Sequence, residues 1–341
     1  MDARPTSEQR ELEDAADRLA LKLGPTTVGD LDDVERRDRL GAAVSQTGWR
    51  ELRTGTTTEA IASGVEAAIV VRAFTRRCCD TAFLAPVLAH DLLRRGGSSG
   101  DDTVRSIVVS ADLQHIAVAR SSAATDSAGL AIDVAGSFTA VALAEAGDGF
   151  TVAEATIGAP SDGVDLTRPV ALMEAGAACS TPVSGVLSRD DVTAWEALAV
   201  TLSAADLVGA MEGAVALATE YAQERRQYGA PIGSYQAVQH MLAEAKTLTE
   251  GAASALIHAA WAVDALAPDD ARAAAAVAKA YAARAARTVC ETAIQVHGGI
   301  GNTWECMAHV FLRRTLLATE LFGGDGPQLE LLARQRWGAT P

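Results

Sequence analysis

The sequence is short of basic residues relative to acidic ones. Its 341 residues include 29 Lys and Arg against 44 Asp and Glu, so the net charge is −15 with histidine neutral. A protein that binds nucleic acid draws much of its affinity from cations that neutralise phosphates, and an anionic membrane surface attracts a chain in the same way. The composition therefore argues against nucleic acid and against a membrane as partners.

Cysteine is scarce as well, and the five cysteines follow no ligand pattern: Cys78, Cys79, Cys179, Cys290 and Cys306. They form no CxxC pair and have no histidine neighbour at metal-ligand spacing. We expect buried free thiols and no metal site. The amino terminus has no apolar leader segment, and no stretch of about 18 uncharged apolar residues follows it. These two absences predict a cytoplasmic protein.

Aromatic residues are few, at 4%, whereas alanine is abundant, above all after position 200. Alanine is the residue that costs least in a helix, so the composition favours a mainly helical protein. The hydrophobic share of 49% and the charged share of 21% are those of an ordinary globular chain. The length predicts roughly two or three domains.

The spacing of apolar residues changes twice along the chain. Residues 1–100 have helical spacing, with breaks at Gly24-Pro25 and near Gly48 and Gly55, and residues 94–100 look like a linker. Residues 101–188 predict a small antiparallel β domain, because their apolar runs are short and alternate. The predicted strands contain residues 107–109, 116–118, 130–132, 141–143 and 150–152, with a hairpin turn at Gly147-Asp148-Gly149.

Helical spacing returns at about residue 189 and lasts to the end of the chain. Four helices are predicted: one ending at Gly229-Ala230-Pro231, one reaching Pro268, one from about 270 to Gly298, and one from about 305 to 321. The predicted fold class is mainly α with a central β domain. Its parts are an N-terminal helical domain (1–100), a middle antiparallel β domain (101–188) and a C-terminal four-helix bundle (189–341).

Two stretches of the bundle have the residue types that bind a ligand. Residues 221–229, YAQERRQYG, place two arginines, two glutamines and a tyrosine at a predicted helix end, where guanidinium groups could bind a phosphate. A solvated helix end is the plainer interpretation. Residues 293–302, AIQVHGGIGN, offer a glutamine and two bare backbone units, as close approach to a ligand requires, or a simple helix cap. For His297 we favour packing or a hydrogen bond to a ligand over a role as a base.

Three segments of the bundle resemble the acyl-CoA dehydrogenase family: ALATEYAQERRQYGAPIGSYQAVQHMLAEA, AAAAVAKAYAARAARTVCETAIQVHGGIGNTWE and FLRR. They lie between about residues 205 and 325, a third of the chain. The order of helical, β and helical parts also matches that family's architecture. The resemblance implies FAD bound between subunits and α,β-dehydrogenation of an acyl-CoA thioester. It assigns the FAD contacts to Arg225, Gln227, Tyr228, Gln295, Gly298 and Gly299.

The catalytic base of the family is missing from both places where its members carry it. One place corresponds to Phe322 and the other to Ala199, neither of which can remove the α-proton of a thioester. Glu196, Glu320 and Asp325 lie near these positions and are the possible substitutes. The middle domain also lacks the family's segments that line the flavin ring; the corresponding residues, 106–126, read SIVVSADLQHIAVARSSAATD.

The chain therefore keeps the half of the flavin site that serves a neighbour and lacks the half that would serve itself. In this it resembles the degenerate subunit of actinobacterial α2β2 acyl-CoA dehydrogenases that act on steroid side-chain CoA thioesters. This resemblance implies a catalytic acyl-CoA dehydrogenase subunit as partner, a shared FAD, a bulky acyl-CoA substrate and an electron-transfer flavoprotein as acceptor. Two other interpretations stay open: a homo-oligomeric enzyme with a relocated base, and a structural subunit without flavin.

Overall fold

The chain is described here from a computed structural model, which covers residues 4–98, 103–119, 128–137, 139–161, 163–175 and 183–338. Four helices precede the sheet: α1 (Ser7–Leu23), α2 (Val34–Thr47), α3 (Gly64–Thr75) and α4 (Leu84–Arg95). The first two end at Gly24 and Gly48, as predicted. Side-chain caps at Thr6, Asp33 and Ser63 satisfy amide groups that the first turns of α1, α2 and α3 leave without partners.

The predicted linker at residues 94–100 is wrong at its start, because Arg94 and Arg95 form the last turn of α4. Arg94 is buried: its guanidinium donates to the carbonyls of Thr56 and Thr57 and pairs with Asp91 at 2.8 Å. A pair of arginines before a glycine run suggests an exposed segment. Here, however, carboxylates and carbonyls bind the guanidinium groups and offset the desolvation cost of burying them. Ser99 and Gly100 lie outside the described residues.

The described residues of the middle region form a six-stranded sheet. Its strands are β1 (Ser106–Ser110), β2 (Val118–Ala119), β3 (Gly129–Ile132), β4 (Thr139–Ala146), β5 (Gly149–Thr156) and β6 (Val170–Met173), in the order β2-β4-β1-β3-β6 with β5 beside β4. The antiparallel prediction is wrong in part, because β1 and β2 each pair with β4 in parallel. Four of the five residues of β1 are buried, as is usual for a strand covered on both faces. Strand β6 was not foreseen.

The predicted hairpin between β4 and β5 is confirmed. Ala146 pairs with Gly149, so Gly147 and Asp148 form a two-residue loop. Gly147 has φ +61°, the left-handed backbone that a tight hairpin of this length requires at its first loop residue. The turn therefore sets the register of the longest strand pair in the sheet.

The carboxy-terminal part is a helical bundle. Its helices are α5 (Arg189–Glu224), α6 (Gln236–Ala265), α7 (Pro268–His297) and α8 (Ala308–Glu320), with a further helix, α9 (Asp325–Trp337), packed against α7. The four predicted helices are confirmed and α9 is an addition. Helix α5 is the longest, with 36 residues. It contains an 18-residue window of mean hydropathy 1.4 that is long enough to span a membrane, and 89% of that window is buried inside the protein.

A buried carboxylate joins the three parts of the chain. Asp206 on α5 accepts hydrogen bonds from Thr75 of α3 at 2.6 Å, from Arg168 before β6 at 3.0 Å, and from Arg314 of α8 at 2.8 Å. Burial alone raises the pKa of Asp206, but Arg168 and Arg314 outweigh it and hold the pKa below its ordinary value. The three parts therefore share one buried ionic contact.

The cysteines agree with the prediction of free thiols where they can be examined. Cys78, Cys79, Cys290 and Cys306 are free and buried. Burial raises the pKa of Cys79 and of Cys290 to about 12, so both stay protonated at neutral pH. Cys179 lies outside the described residues.

Candidate cofactor-binding site

The first predicted stretch is the end of α5 followed by a small hairpin. The helix ends at Glu224, earlier than predicted, and Arg225 is its cap. The chain then forms two short strands, β7 (Arg226–Gln227) and β8 (Ala230–Pro231), with Tyr228 and Gly229 as the turn. The Arg225 carbonyl accepts the amide of Ile232 at 2.8 Å, which fixes the hairpin against the helix end.

The second predicted stretch is the end of α7. The amide of Gly298 donates to the carbonyls of Gln295 and Ile294 and so caps the helix, after which residues 298–302 form a single 3-10 turn. The helix cap is therefore confirmed, whereas the approach of a ligand to this stretch stays a prediction. A Cβ built on Gly298 or on Gly299 would meet no atom within 4 Å, so the bare backbone of each faces open space.

The structure brings the two stretches together around a cavity of about 480 Å³. Arg225, Gln227, Gln295, Gly298 and Gly299 all line it. Tyr228, the sixth predicted residue, does not: it lies at the hairpin tip with 97% of its surface exposed. Residues about 70 positions apart in sequence thus form one site because α5 and α7 pack side by side.

Arg225 gives this cavity its charge. Its side chain is exposed and forms no ion pair with any residue that the structure describes. An unpaired guanidinium in such a cavity suits an anion with two acceptor oxygens. The side chains of Gln227 and Gln295, also exposed, add amide groups that can donate and accept.

The rest of the lining is aromatic and apolar, and the sequence did not reveal it. Tyr221 stacks on His297 with ring centroids 4.4 Å apart, and the Tyr235 hydroxyl donates to the Gln227 carbonyl at 2.9 Å. The remaining lining residues are Ile232, Val238, Met241, Val296 and Ile300. Tyr221 stands within the quoted motif and could have been found there. The apolar residues belong to stripes that predict helix packing, so no signal separated them from the core.

These residues fit part of a dinucleotide such as FAD. The guanidinium of Arg225 suits a pyrophosphate, and the two glycines have no Cβ that would obstruct a close approach to the backbone. The aromatic pair of Tyr221 and His297 suits a stacked ring. A larger cavity of about 670 Å³ lies between α2 and loops of the sheet, and none of the sequence-predicted residues lines it. Two of its charged residues, Arg50 and Asp80, are held by buried partners.

The two positions that the sequence resemblance assigns to the family's base are buried in protein. Phe322 is 3% exposed and meets Trp195 edge to face, with centroids 6.0 Å apart; Ala199 is fully buried. The Phe322 amide donates to the carbonyl of Leu113 at 2.7 Å, and the Gln328 side chain donates to the Phe322 carbonyl at 2.6 Å. Leu113 belongs to the loop after β1, so this contact joins the sheet to the bundle.

The three possible substitute bases are placed differently from one another. Glu196 lies 3.9 Å from His115 and 4.0 Å from Arg272. Burial raises the pKa of Glu196, although Arg272 and His115 act in the opposite direction. Asp325 pairs with Arg284 at 3.1 Å, and Glu320 is the exposed last residue of α8. None of the three lines the cavity that Arg225 and Gln295 share.

Several known proteins with similar sequence are acyl-CoA dehydrogenases by name. Residues 198–336 match the family model "Acyl-CoA dehydrogenase, C-terminal domain". Acyl-CoA dehydrogenase IpdE2 of Mycolicibacterium smegmatis is 30% identical over 197 residues, which are 58% of this chain and 58% of that protein. The chain spans 24–58% of the length of the first curated relatives it matches.

Solved structures extend the likeness to the whole chain. A chain of the ChsE4-ChsE5 complex from Mycobacterium tuberculosis superposes with a TM-score of 0.81 at 22% identity, and the match covers 100% of both chains. The Tcur3481-Tcur3483 steroid ACAD variant gives 0.72 at 20% identity over 96% of both chains. The bundle of this chain is similar to the C-terminal domain of acyl-CoA dehydrogenases, and the whole chain has the three-part fold of that family, as predicted.

Proposed function

We propose that this chain is a subunit of an FAD-dependent acyl-CoA dehydrogenase, that it completes the FAD site of a partner subunit, and that it supplies no base itself. The observation that carries the proposal is the contrast between two regions of the bundle. The cavity at Arg225 is open and holds an unpaired cation. The family's base positions are filled by buried apolar side chains.

The cavity residues have distinct parts in this function. Arg225 binds the pyrophosphate of FAD, Gln227 and Gln295 donate to its polar groups, and Gly298 and Gly299 let it approach the backbone. Tyr228, at the exposed hairpin tip, contacts the partner subunit or the FAD that the partner holds. When bound, FAD supplies the electron acceptor for α,β-dehydrogenation of an acyl-CoA thioester. We propose an electron-transfer flavoprotein as the electron acceptor of the complex.

The segment that would carry a base in a second active site is packed against its surroundings. Residues 321–324 are held by Leu113 in the loop after β1, by Gln328 on α9 and by Trp195 on α5. Removal of an α-proton requires a positioned base, and this segment offers a phenyl ring instead. The base of the complex therefore comes from the partner.

A catalytic acyl-CoA dehydrogenase subunit of the same fold is the partner we propose, in an α2β2 assembly. Support comes from the match to the ChsE4-ChsE5 complex over the full length of both chains. A bulky substrate of the steroid side-chain type is supported by the likeness to a steroid ACAD, in addition to the sequence resemblance. A pseudo-symmetric pair with one active site fits a chain that holds half of a flavin site.

The test is flavin content and affinity of the chain alone and of its complex with the acyl-CoA dehydrogenase-like chain encoded beside it. We expect a colourless chain that becomes part of a yellow complex with about one FAD per pair. Arg225→Ala should weaken FAD binding in the complex by about tenfold or more, since it removes a charge-assisted hydrogen bond.

Arg226→Ala is the matched control, because Arg226 is the adjacent exposed cation and does not line the cavity. It should leave FAD affinity unchanged. A yellow, active chain without a partner would show a homo-oligomeric enzyme, with its base among Glu196, Glu320 and Asp325. If the complex that contains Arg225→Ala binds FAD with normal affinity, this chain is a structural subunit that does not contact flavin.

A further inference from the structure

His297 presents one ring nitrogen to the cavity and uses the other inside α7. The residue is 6% exposed and lines the cavity. Its Nδ1 lies 2.7 Å from the carbonyl oxygen of Ala293, one turn earlier in the helix. Tyr221 stacks against the ring with an interplanar angle of 25°, so the orientation of the imidazole is fixed from two sides.

The bond to Ala293 decides what the second nitrogen can do. A carbonyl oxygen only accepts, so Nδ1 is the protonated nitrogen. In the neutral ring, Nε2 then has a lone pair and no hydrogen. Nε2 has no hydrogen-bond partner among the described residues, and it is not enclosed by protein atoms. In its neutral form this histidine, which is more than nine-tenths buried, thus offers a single acceptor to the cavity.

The chemistry of this acceptor excludes one part of a nucleotide and selects another. The oxygens of an ionised pyrophosphate only accept hydrogen bonds, so they cannot bind to an acceptor nitrogen. A sugar hydroxyl or a ring amino group can donate to it. Arg225 in the same cavity has the opposite property, because a guanidinium only donates. The two side chains therefore recognise different groups of one ligand.

We propose that His297 is the hydrogen-bond acceptor of the cavity, through which it binds a hydroxyl or amino group of a nucleotide whose phosphate Arg225 holds. This inference rests on the proposed function, in which the nucleotide is the FAD of the partner subunit. It adds a specificity-determining residue to the predicted contacts, and it gives the Tyr221 stack the role of holding the ring in place.

The test titrates FAD and inorganic pyrophosphate separately into the flavin-free complex. His297→Phe keeps an aromatic ring against Tyr221 and removes the acceptor. It should weaken FAD binding by about tenfold and leave pyrophosphate binding unchanged at an alkaline pH where pyrophosphate is fully ionised, because that anion has no group that donates to Nε2. His297→Gln, whose amide oxygen can accept, should restore most of the FAD affinity. His258→Phe, at an exposed position of α6, should change neither.

Each other result has a definite meaning. If His297→Phe weakens both ligands equally, the ring only maintains the shape of the cavity and the inference is overturned. If His297→Phe binds FAD normally while Arg225→Ala does not, the inference is overturned and the proposed function stands. If both variants bind FAD normally, the proposed function fails and the inference with it. Failure of His297→Gln to recover FAD affinity would also contradict an acceptor role.

Discussion

Lys279 is the residue whose environment conflicts most with its chemistry. It lies on α7 with no exposed surface, and its ammonium donates to the Ser203 hydroxyl at 2.6 Å and to the carbonyl of Ala318. The second contact places a cation at the last turn of α8, where a helix leaves carbonyl groups without amide partners. Burial lowers the pKa of Lys279 to about 7, although Asp206 and Glu320 partly oppose it.

We expect Lys279→Met to stabilise the protein at pH 6. Below a pH of about 7 the folded state holds a buried cation, whereas between about 7 and 10 only the unfolded state keeps that proton. Stability of the wild type should therefore rise with pH across this window, and the variant should lose the rise. At pH 6 the gain in unfolding free energy should be about 2–4 kcal/mol, measured by chemical denaturation at pH 6 and pH 9.

Lys246→Met is the control for that comparison. Lys246 is exposed and pairs with Glu250 on the surface of α6, so its removal should change stability by less than about 1 kcal/mol at either pH. A wild-type stability that stays flat between pH 7 and pH 10 would contradict the assignment of a depressed pKa to Lys279.

Among the elements, the β7–β8 hairpin is the one on which the cavity depends most. Tyr228 and Gly229 form its turn with φ +51° and +84°. A side chain in this left-handed region costs roughly 1–2 kcal/mol, and glycine avoids the cost. The turn determines where the chain on either side of it lies, including Arg225 and Gln227.

Gly229→Ala should therefore weaken FAD binding in the complex by about tenfold while lowering global stability by no more than about 1–2 kcal/mol. Flavin retention during gel filtration and a denaturation curve give the two quantities. Gly326→Ala provides the comparison, since Gly326 lies in α9, has no left-handed backbone and faces open space. Gly326→Ala should leave FAD binding and global stability unchanged. If the two variants lose FAD affinity equally, the conformation of the hairpin does not matter for the cavity.

The sequence predicts the helices of this fold better than its sheet or its hairpin. Glycine and proline mark the ends of α1, α2 and α7, because these residues act locally on the backbone. The parallel pairing of β1 with β4 has no local signal, since the partner of a strand is chosen by the fold. The hairpin after Arg225 was mistaken for helix, because its two-residue strands are too short to show alternation.

The candidate site was also predicted only in part from the sequence. The motif residues Arg225 and Gln295 were found through their resemblance to a family, and the structure adds that they share a cavity. Spacing alone could not have joined them, because their proximity follows from the packing of α5 against α7. The free nitrogen of His297 required coordinates, since its tautomer depends on a bond to Ala293.

On the scale of the whole molecule, Asp206 holds the parts of the chain together. Asp206→Asn leaves Arg168 and Arg314 buried without their carboxylate, so we expect a loss of about 3–5 kcal/mol in unfolding free energy. The pKa of Asp206 is depressed, so its contribution is present above about pH 4 and is lost as the pH falls further.

The variant should accordingly show a smaller decline in stability below pH 4 than the wild type. Chemical denaturation at pH 7, at pH 4 and at about pH 2.5, followed by both tryptophan fluorescence and far-ultraviolet circular dichroism, measures this. Asp148→Asn, in the exposed β4–β5 turn, is the control and should behave as the wild type. An unchanged Asp206→Asn protein would mean that the three parts are joined by apolar packing alone.

The burial of Phe322 against Trp195 also sets what kinds of change the chain can accept over generations. A position whose side chain only packs in the core tolerates another apolar side chain of similar volume, such as leucine or methionine. Under the proposed function, Arg225 and Gln295 contact a ligand and have no such freedom. One bundle therefore contains two regions of unequal tolerance, and a library of variants selected for assembly with the partner would separate them.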